Sequence, residues 1–158
     1  MNAVVRLKRT ILIIVCILIC TVFIIIPLII VAAGSKNRVL IIGEKSIDTT
    51  IEDIGDLKRI SEIIGLKTEN EPESVNEIRI PLYFNDVYTN YNDLMRQIGA
   101  DLENYKGMKC LEYNFRVLSP ENYCDDTLTF LVCGGRLIGG SLSGKEFGSR
   151  IRSLAELQ

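Results

Sequence analysis

Residues 11–33 read ILIIVCILICTVFIIIPLIIVAA, a run of 23 residues without a charge. A helix rises about 1.5 Å per residue, so this run is roughly 34 Å long and crosses a hydrocarbon core of about 30 Å with modest tilt. Every other part of the chain must be arranged around a membrane-spanning helix of that kind. Arg6, Lys8 and Arg9 precede it, and Val31-Ala32-Ala33 offers small residues where a signal peptidase would cut. The apolar part of a cleaved signal is about 7–15 residues, however, so an uncleaved signal-anchor is expected. The span holds no Asp, Glu, Lys or Arg, which fits an anchor better than an ion path. Pro27 would kink the helix, as lipid-buried helices tolerate. Three basic residues stand on each side, Arg6, Lys8 and Arg9 against Lys36, Arg38 and Lys45. The short basic head favours a cytoplasmic N-terminus, because long domains are translocated regardless of charge. The expected layout is a cytoplasmic tail (1–10), the span (11–33), a linker with a short strand (34–48), an extracytoplasmic domain (49–142) and a C-terminal tail (143–158).

The soluble part is about one ordinary domain, large enough for a core without disulfide or metal staples. From Lys36 onward 15 Lys and Arg stand against 20 Asp and Glu, a net of −5. Between Glu44 and Asp126 the tally is 9 against 18, a net of −9. Such a surface repels phosphate backbones, so nucleic acid is not an expected partner. Cys16 and Cys20 fall inside the apolar run and read as small hydrophobes. Cys110, Cys124 and Cys133 belong to the domain, and three is not the count of a disulfide framework. There is no His and no C-x-x-C, so no zinc site is expected.

Along the domain, residues 38–43 (RVLIIG) read as a strand or as a continuation of the anchor. Thr49 and Thr50 precede Glu52 and Asp53 at capping-box spacing. Ile51, Ile54, Leu57, Ile60, Ile63 and Ile64 recur at helical spacing up to Gly65, so a helix is expected over about 50–64. Short strands follow at 66–69 and 75–80. Phe84, Val87, Tyr88, Tyr91, Leu94, Met95 and Ile98 form one apolar stripe that Gly99 closes, which predicts a second helix. Asp101 caps a further turn at 102–105. Residues 109–118 alternate, with Leu111, Tyr113, Phe115 and Val117 on one face and Cys110, Glu112, Asn114 and Arg116 on the other. After a turn-rich loop, residues 127–133 place Leu128, Phe130 and Val132 toward the core. Gly134-Gly135 is a tight hairpin turn to a strand at 136–142, where Gly139-Gly140 marks a bulge or a close backbone approach. The tail from Ser143 reads as weakly helical and loosely held. The order predicts an α+β fold: an antiparallel sheet with helices packed on one face.

IPLYFNDVYTNYNDLMRQIGADLENYKG, then YNFRV and LVCGGRLIGGSL, resemble a family of domains of unknown function, numbered 4830, from clostridia and related Gram-positive bacteria. The likeness runs from about 51 to 142. It rests on Phe84, Val87, Tyr88, Tyr91, Asn92 and Leu94, on Tyr105 and Gly107, and on Gly135, Ile138, Gly139 and Gly140. It implies an exported domain tethered to a bacterial membrane, and it implies no activity.

Catalytic signatures are sparse. Without His, neither Ser-His nor Cys-His nucleophile pairs can be built. The paired glycines do not make a phosphate loop, since no Lys-Ser/Thr follows. Glu121, Asp125 and Asp126 could hold Ca²⁺, but they lack the spaced ligands of an EF-hand, and a solvated turn is the competing account. Cys110 and Cys133 occupy the outer face of strands that would be antiparallel neighbours. They could form a cross-strand disulfide if the register sets them opposite each other, and otherwise remain thiols. No catalytic residue and no cofactor is expected. The expected function is a non-catalytic binding module at the cell envelope, whose partners are the bilayer and an envelope protein or cell-wall ligand. The alternative is a hydrolase of envelope material, which would need two acids facing one cleft.

Overall fold

Gly134 and Gly135 have φ of 57° and 73°, the left-handed backbone that a two-residue hairpin turn demands at both central positions. They join β6 (Thr127–Cys133) to β7 (Arg136–Ser143), paired antiparallel from Cys133↔Arg136 out to Thr127↔Ser143. The computed structural model describes residues 39–146 and 148–157 and builds an α+β domain around this hairpin. Before it come β1 (Val39–Ile42), β2 (Lys45–Asp48), α1 (Ile54–Ile63), β3 (Lys67–Thr68), β4 (Ser74–Arg79), α2 (Asp86–Arg96) and β5 (Lys109–Ser119). β8 (Ile151–Ser153) follows, and 3-10 turns lie at Leu102–Tyr105, Glu121–Tyr123 and Leu154–Glu156. β3 and β4 share one edge of β5, and β6, β7 and β8 continue the sheet, every pair antiparallel. β1 and β2 form a separate hairpin.

The register sorts the sheet into two faces. Phe115, Leu128, Phe130 and Leu142 share one face, while Glu112, Asn114, Thr129, Gly139 and Ser141 share the other. α1 lies on the first face, where Ser61 Oγ is 3.3 Å from Thr68 Oγ1 and Thr68 pairs with Val117. The Leu154–Glu156 turn joins it there, with Leu154 packed against Gly140 beside Phe130. α2 lies on the second face, where the Tyr91 hydroxyl is 3.4 Å from Ser141 Oγ and Ser153 Oγ donates to the Leu94 carbonyl at 2.9 Å. The two helices therefore cover opposite faces, which corrects the expectation of one. The reason is visible in β6, where Leu128 and Phe130 face one side, Leu131 and Cys133 the other, and all four are buried. A strand apolar on both sides needs a layer on each.

Several boundaries move. The helical stripe begins at Ile54 because Asp53, not Thr49 or Thr50, is its cap. Asp53 accepts from the Asp56 amide at 3.1 Å, and Asp56 accepts from the Asp53 amide at 3.3 Å. Thr49–Ile51 is instead extended along β7: the Leu137 amide donates to the Thr49 carbonyl and the Ile51 amide to the Gly135 carbonyl. Residues expected to be linker supply core side chains, since Leu40, Ile42 and Ile47 are buried in the main cluster. The expected loose tail contributes β8 and the fully buried Leu154. The apolar run, the basic head and the expected membrane topology fall on residues 1–38 and lie outside the described residues. Among the described residues, no helix is long and apolar enough to cross a membrane.

Candidate functional site

α2 is set in place at both ends. Asn85 caps it by accepting from the Tyr88 amide at 2.9 Å, and Asp86 and Arg96 complement its dipole at the first and last turns. Inside the helix, the buried Asn92 reaches past the C-terminus. Its amide donates to Asp101 Oδ1 at 2.9 Å, and its oxygen accepts from the Leu102 amide at 2.7 Å. That pair of bonds welds the helix to the turn after it. Met95 then settles on the sheet above Gly139, where a Cβ would lie 2.7 Å from its sulfur. Beside Gly139 the pairing jumps from Leu131↔Gly139 to Val132↔Leu137, which leaves Ile138 as a bulge. Of the bulge or close approach expected at Gly139-Gly140, the close approach is at those glycines and the bulge is one residue before them.

Held this way, α2 leaves a groove of about 580 Å³ along its flank. Val87, Tyr88, Tyr91 and Leu94 form the helix wall, and Ile78, Leu131 and Ile151 supply apolar floor. Glu112, Thr129, Ser141 and Ser143 line the sheet side, and Arg150 stands at the end by β8. Ligand pockets fall in this volume range and share this mixture of apolar walls with a few polar groups. The sheet side is internally bonded. Asn114 Nδ2 donates to Ser74 Oγ at 3.0 Å and to Glu112 Oε1 at 3.2 Å, while Thr129 Oγ1 donates to Asn114 Oδ1 at 2.7 Å. Burial pushes the Tyr91 phenol up to about 12, against the pull of its bond to Ser141. Burial also raises the Tyr88 phenol, with Glu112 adding to the effect. Both tyrosines are therefore neutral hydrogen-bonding groups at physiological pH. Val87, counted in the apolar stripe, is 74% exposed and offers its side chain to the groove.

The other candidate residues have different fates. Asp125 accepts from Arg116 Nε at 2.8 Å and from Lys145 Nζ at 3.0 Å, and Asp126 pairs with Arg152. These bonds to cations hold Asp125 below the ordinary carboxylate range, Arg116 first and Lys145 next. Among the described residues, no three His, Cys, Asp or Glu side chains converge as a metal site would require. Cys110 and Cys133 are both buried thiols, and Cys124 is an exposed one. The stripe from Phe84 to Ile98 predicted the helix, with its tyrosines packed on the sheet, and not a groove along it. Glu112 was readable only on the outer face of its strand, Thr129 and Ser141 only as strand residues, and Arg150 only as part of a loose tail. Their convergence depends on the sheet register and on which face α2 covers, and neither is local.

Compared with known proteins, the chain matches no family model, no curated protein and no solved structure.

Proposed function

We propose that the chain is a non-catalytic binding module, held at the outer surface of a cell membrane by a single span at residues 11–33 with its N-terminus in the cytoplasm. The groove beside α2 is its binding site, and an envelope protein or cell-wall component is its ligand. One observation carries the reading: an apolar groove lies open along an otherwise well-capped helix, with Val87 exposed in it. A contiguous apolar cleft on a domain surface marks an interaction site more often than chance exposure does. The hydrolase alternative is less well supported. It needs two carboxyls in one cleft with at least one raised pKa. Among the described residues, Glu112 is the single carboxylate lining this groove, and the carboxyls of Asp56, Glu77, Asp101 and Asp125 are all held below their ordinary values. The resemblance to family 4830 belongs to the same proposal. Four of its residues, Val87, Tyr88, Tyr91 and Leu94, line the groove.

Two measurements test the reading separately. Protease added to intact protoplasts should cleave the C-terminal domain; protection there with cleavage in lysates would refute the topology. A photo-reactive side chain at Val87 should give a discrete adduct in intact cells, while one at Leu118, which is also exposed but does not line the groove, should not. Equal labelling from both positions would remove the groove as the site.

A further inference from the structure

The two buried thiols of the domain lie next to this groove, on the two strands that supply Glu112 and Leu131 to it. Leu111 pairs with Val132, so one step outward sets Cys110 opposite Cys133 on adjacent antiparallel strands. Opposed residues in such ladders have Cα atoms about 4.5–5.5 Å apart, inside the range of about 4.4–6.8 Å that a disulfide spans. Both side chains share the α2 face, and Cys110 is also the cross-strand neighbour of Ile78, which lines the groove. The Cys133 thiol adds to the upward push that burial exerts on the Cys110 thiol, and it donates to the Lys109 carbonyl, 3.4 Å away.

We propose that Cys110 and Cys133 are a covalent closure site, joined by thiol–disulfide exchange into a bond between β5 and β6 under the Glu112 end of the groove. The co-reactant is a small-molecule or protein disulfide. One cysteine thiolate attacks a donor sulfur, giving a mixed disulfide and releasing the first donor thiol. The second cysteine then attacks the protein-side sulfur of that mixed disulfide and releases the other donor thiol. Two thiols are oxidised, one donor disulfide is reduced, and the two protons leave on the donor thiols. Burial pushes the Cys110 thiol up to about 12, so in the closed fold it is a poor nucleophile. The bond therefore forms while the β5–β6 end is open, during folding or local opening. Cys124 is excluded as the partner by distance. Its neighbour Asp125 donates to the Val117 carbonyl, and Val117 is seven residues along β5 from Cys110, about 23 Å at strand spacing.

The test uses the unmodified full-length chain in detergent micelles, incubated and refolded with oxidised or reduced glutathione, then blocked with N-ethylmaleimide. Combined cleavage after Lys/Arg and before Asp puts Cys110 in peptide 110–116 and Cys133 in peptide 126–136, with Cys124 left on neither. Oxidation should yield those two peptides linked, reverting on dithiothreitol, with a higher thermal midpoint for the linked form. A Cys133→Ala chain should give no link to peptide 110–116. The proposal is overturned if both peptides carry only maleimide after oxidative refolding, if they carry glutathione instead, or if Cys110 is linked to Cys124.

Discussion

A methyl group added at Gly140 would sit 2.7 Å from Leu154 Cδ1, 3.2 Å from the Phe130 ring and 3.3 Å from the Thr129 carbonyl oxygen. The leucine end can move, but the ring and the carbonyl oxygen belong to the paired strand. At Gly139 the added methyl would meet Met95, whose thioether can shift. The neighbouring glycines thus admit the two covering layers, one from each face. Gly140→Ala should cost about 1–3 kcal/mol by overpacking and Gly139→Ala less, as measured by urea unfolding. Asn92 is a second residue whose chemistry exceeds its size. Asn92→Leu would strand the Leu102 amide and remove a partner from Asp101, so a loss of about 1–3 kcal/mol is expected in the same assay. A helical stripe predicts apolar contact at Met95 and Ile98, but it does not predict that a polar residue three positions before Met95 would be buried to bond a turn ten residues on.

At the scale of elements, the C-terminus of α2 carries a pH dependence of definite sign. Burial pushes the Asp101 carboxyl up, but the Asn92 amide, the Glu103 N–H and Arg96 together outweigh it and leave it below its ordinary value of 3.8. The folded chain then binds fewer protons than the unfolded one in that window. Stability from this group is present above about pH 4 and is lost as pH falls through the folded value. The thermal midpoint should drop on acidification from about pH 5 to pH 2.5, and Asp101→Asn should flatten that drop. The strand and helix identities were legible because periodicity is local: the 127–133 strand and its glycine turn coincide with β6 and its hairpin. β2 was not legible, because Lys45-Ser46-Ile47-Asp48 has one apolar residue, and its pairing with β1 makes it a strand. The cap of α1 was misplaced for a similar reason. Thr49 and Thr50 are good caps in isolation, but β7 recruits their backbone.

At the scale of the molecule, the β1–β2 hairpin belongs to the core and is not a spacer. Leu40 is 1% exposed within the main cluster, so Leu40→Ala should destabilise the domain by about 2–5 kcal/mol in denaturant unfolding, whereas a spacer residue would be neutral. The α+β class and the helix that borders the groove could be read in advance from spacing, but not the groove itself. The layer on each side of the sheet could not, although the unbroken apolar run in β6 carried the clue.

The outer edge of β7 is divided between two distant parts of the chain. Thr49–Ile51 bonds its first half, near Gly135 and Leu137, and β8 bonds its second half, from Ser141 to Ser143. One strand is thus a meeting place for residues from before the first helix and residues from after the hairpin. A chain that has folded only as far as Ser143 has Gly140 without Leu154 above it and half of that strand's outer edge bare. A product cut short before Arg150 would carry a raw sticky margin that quality-control proteases can seize.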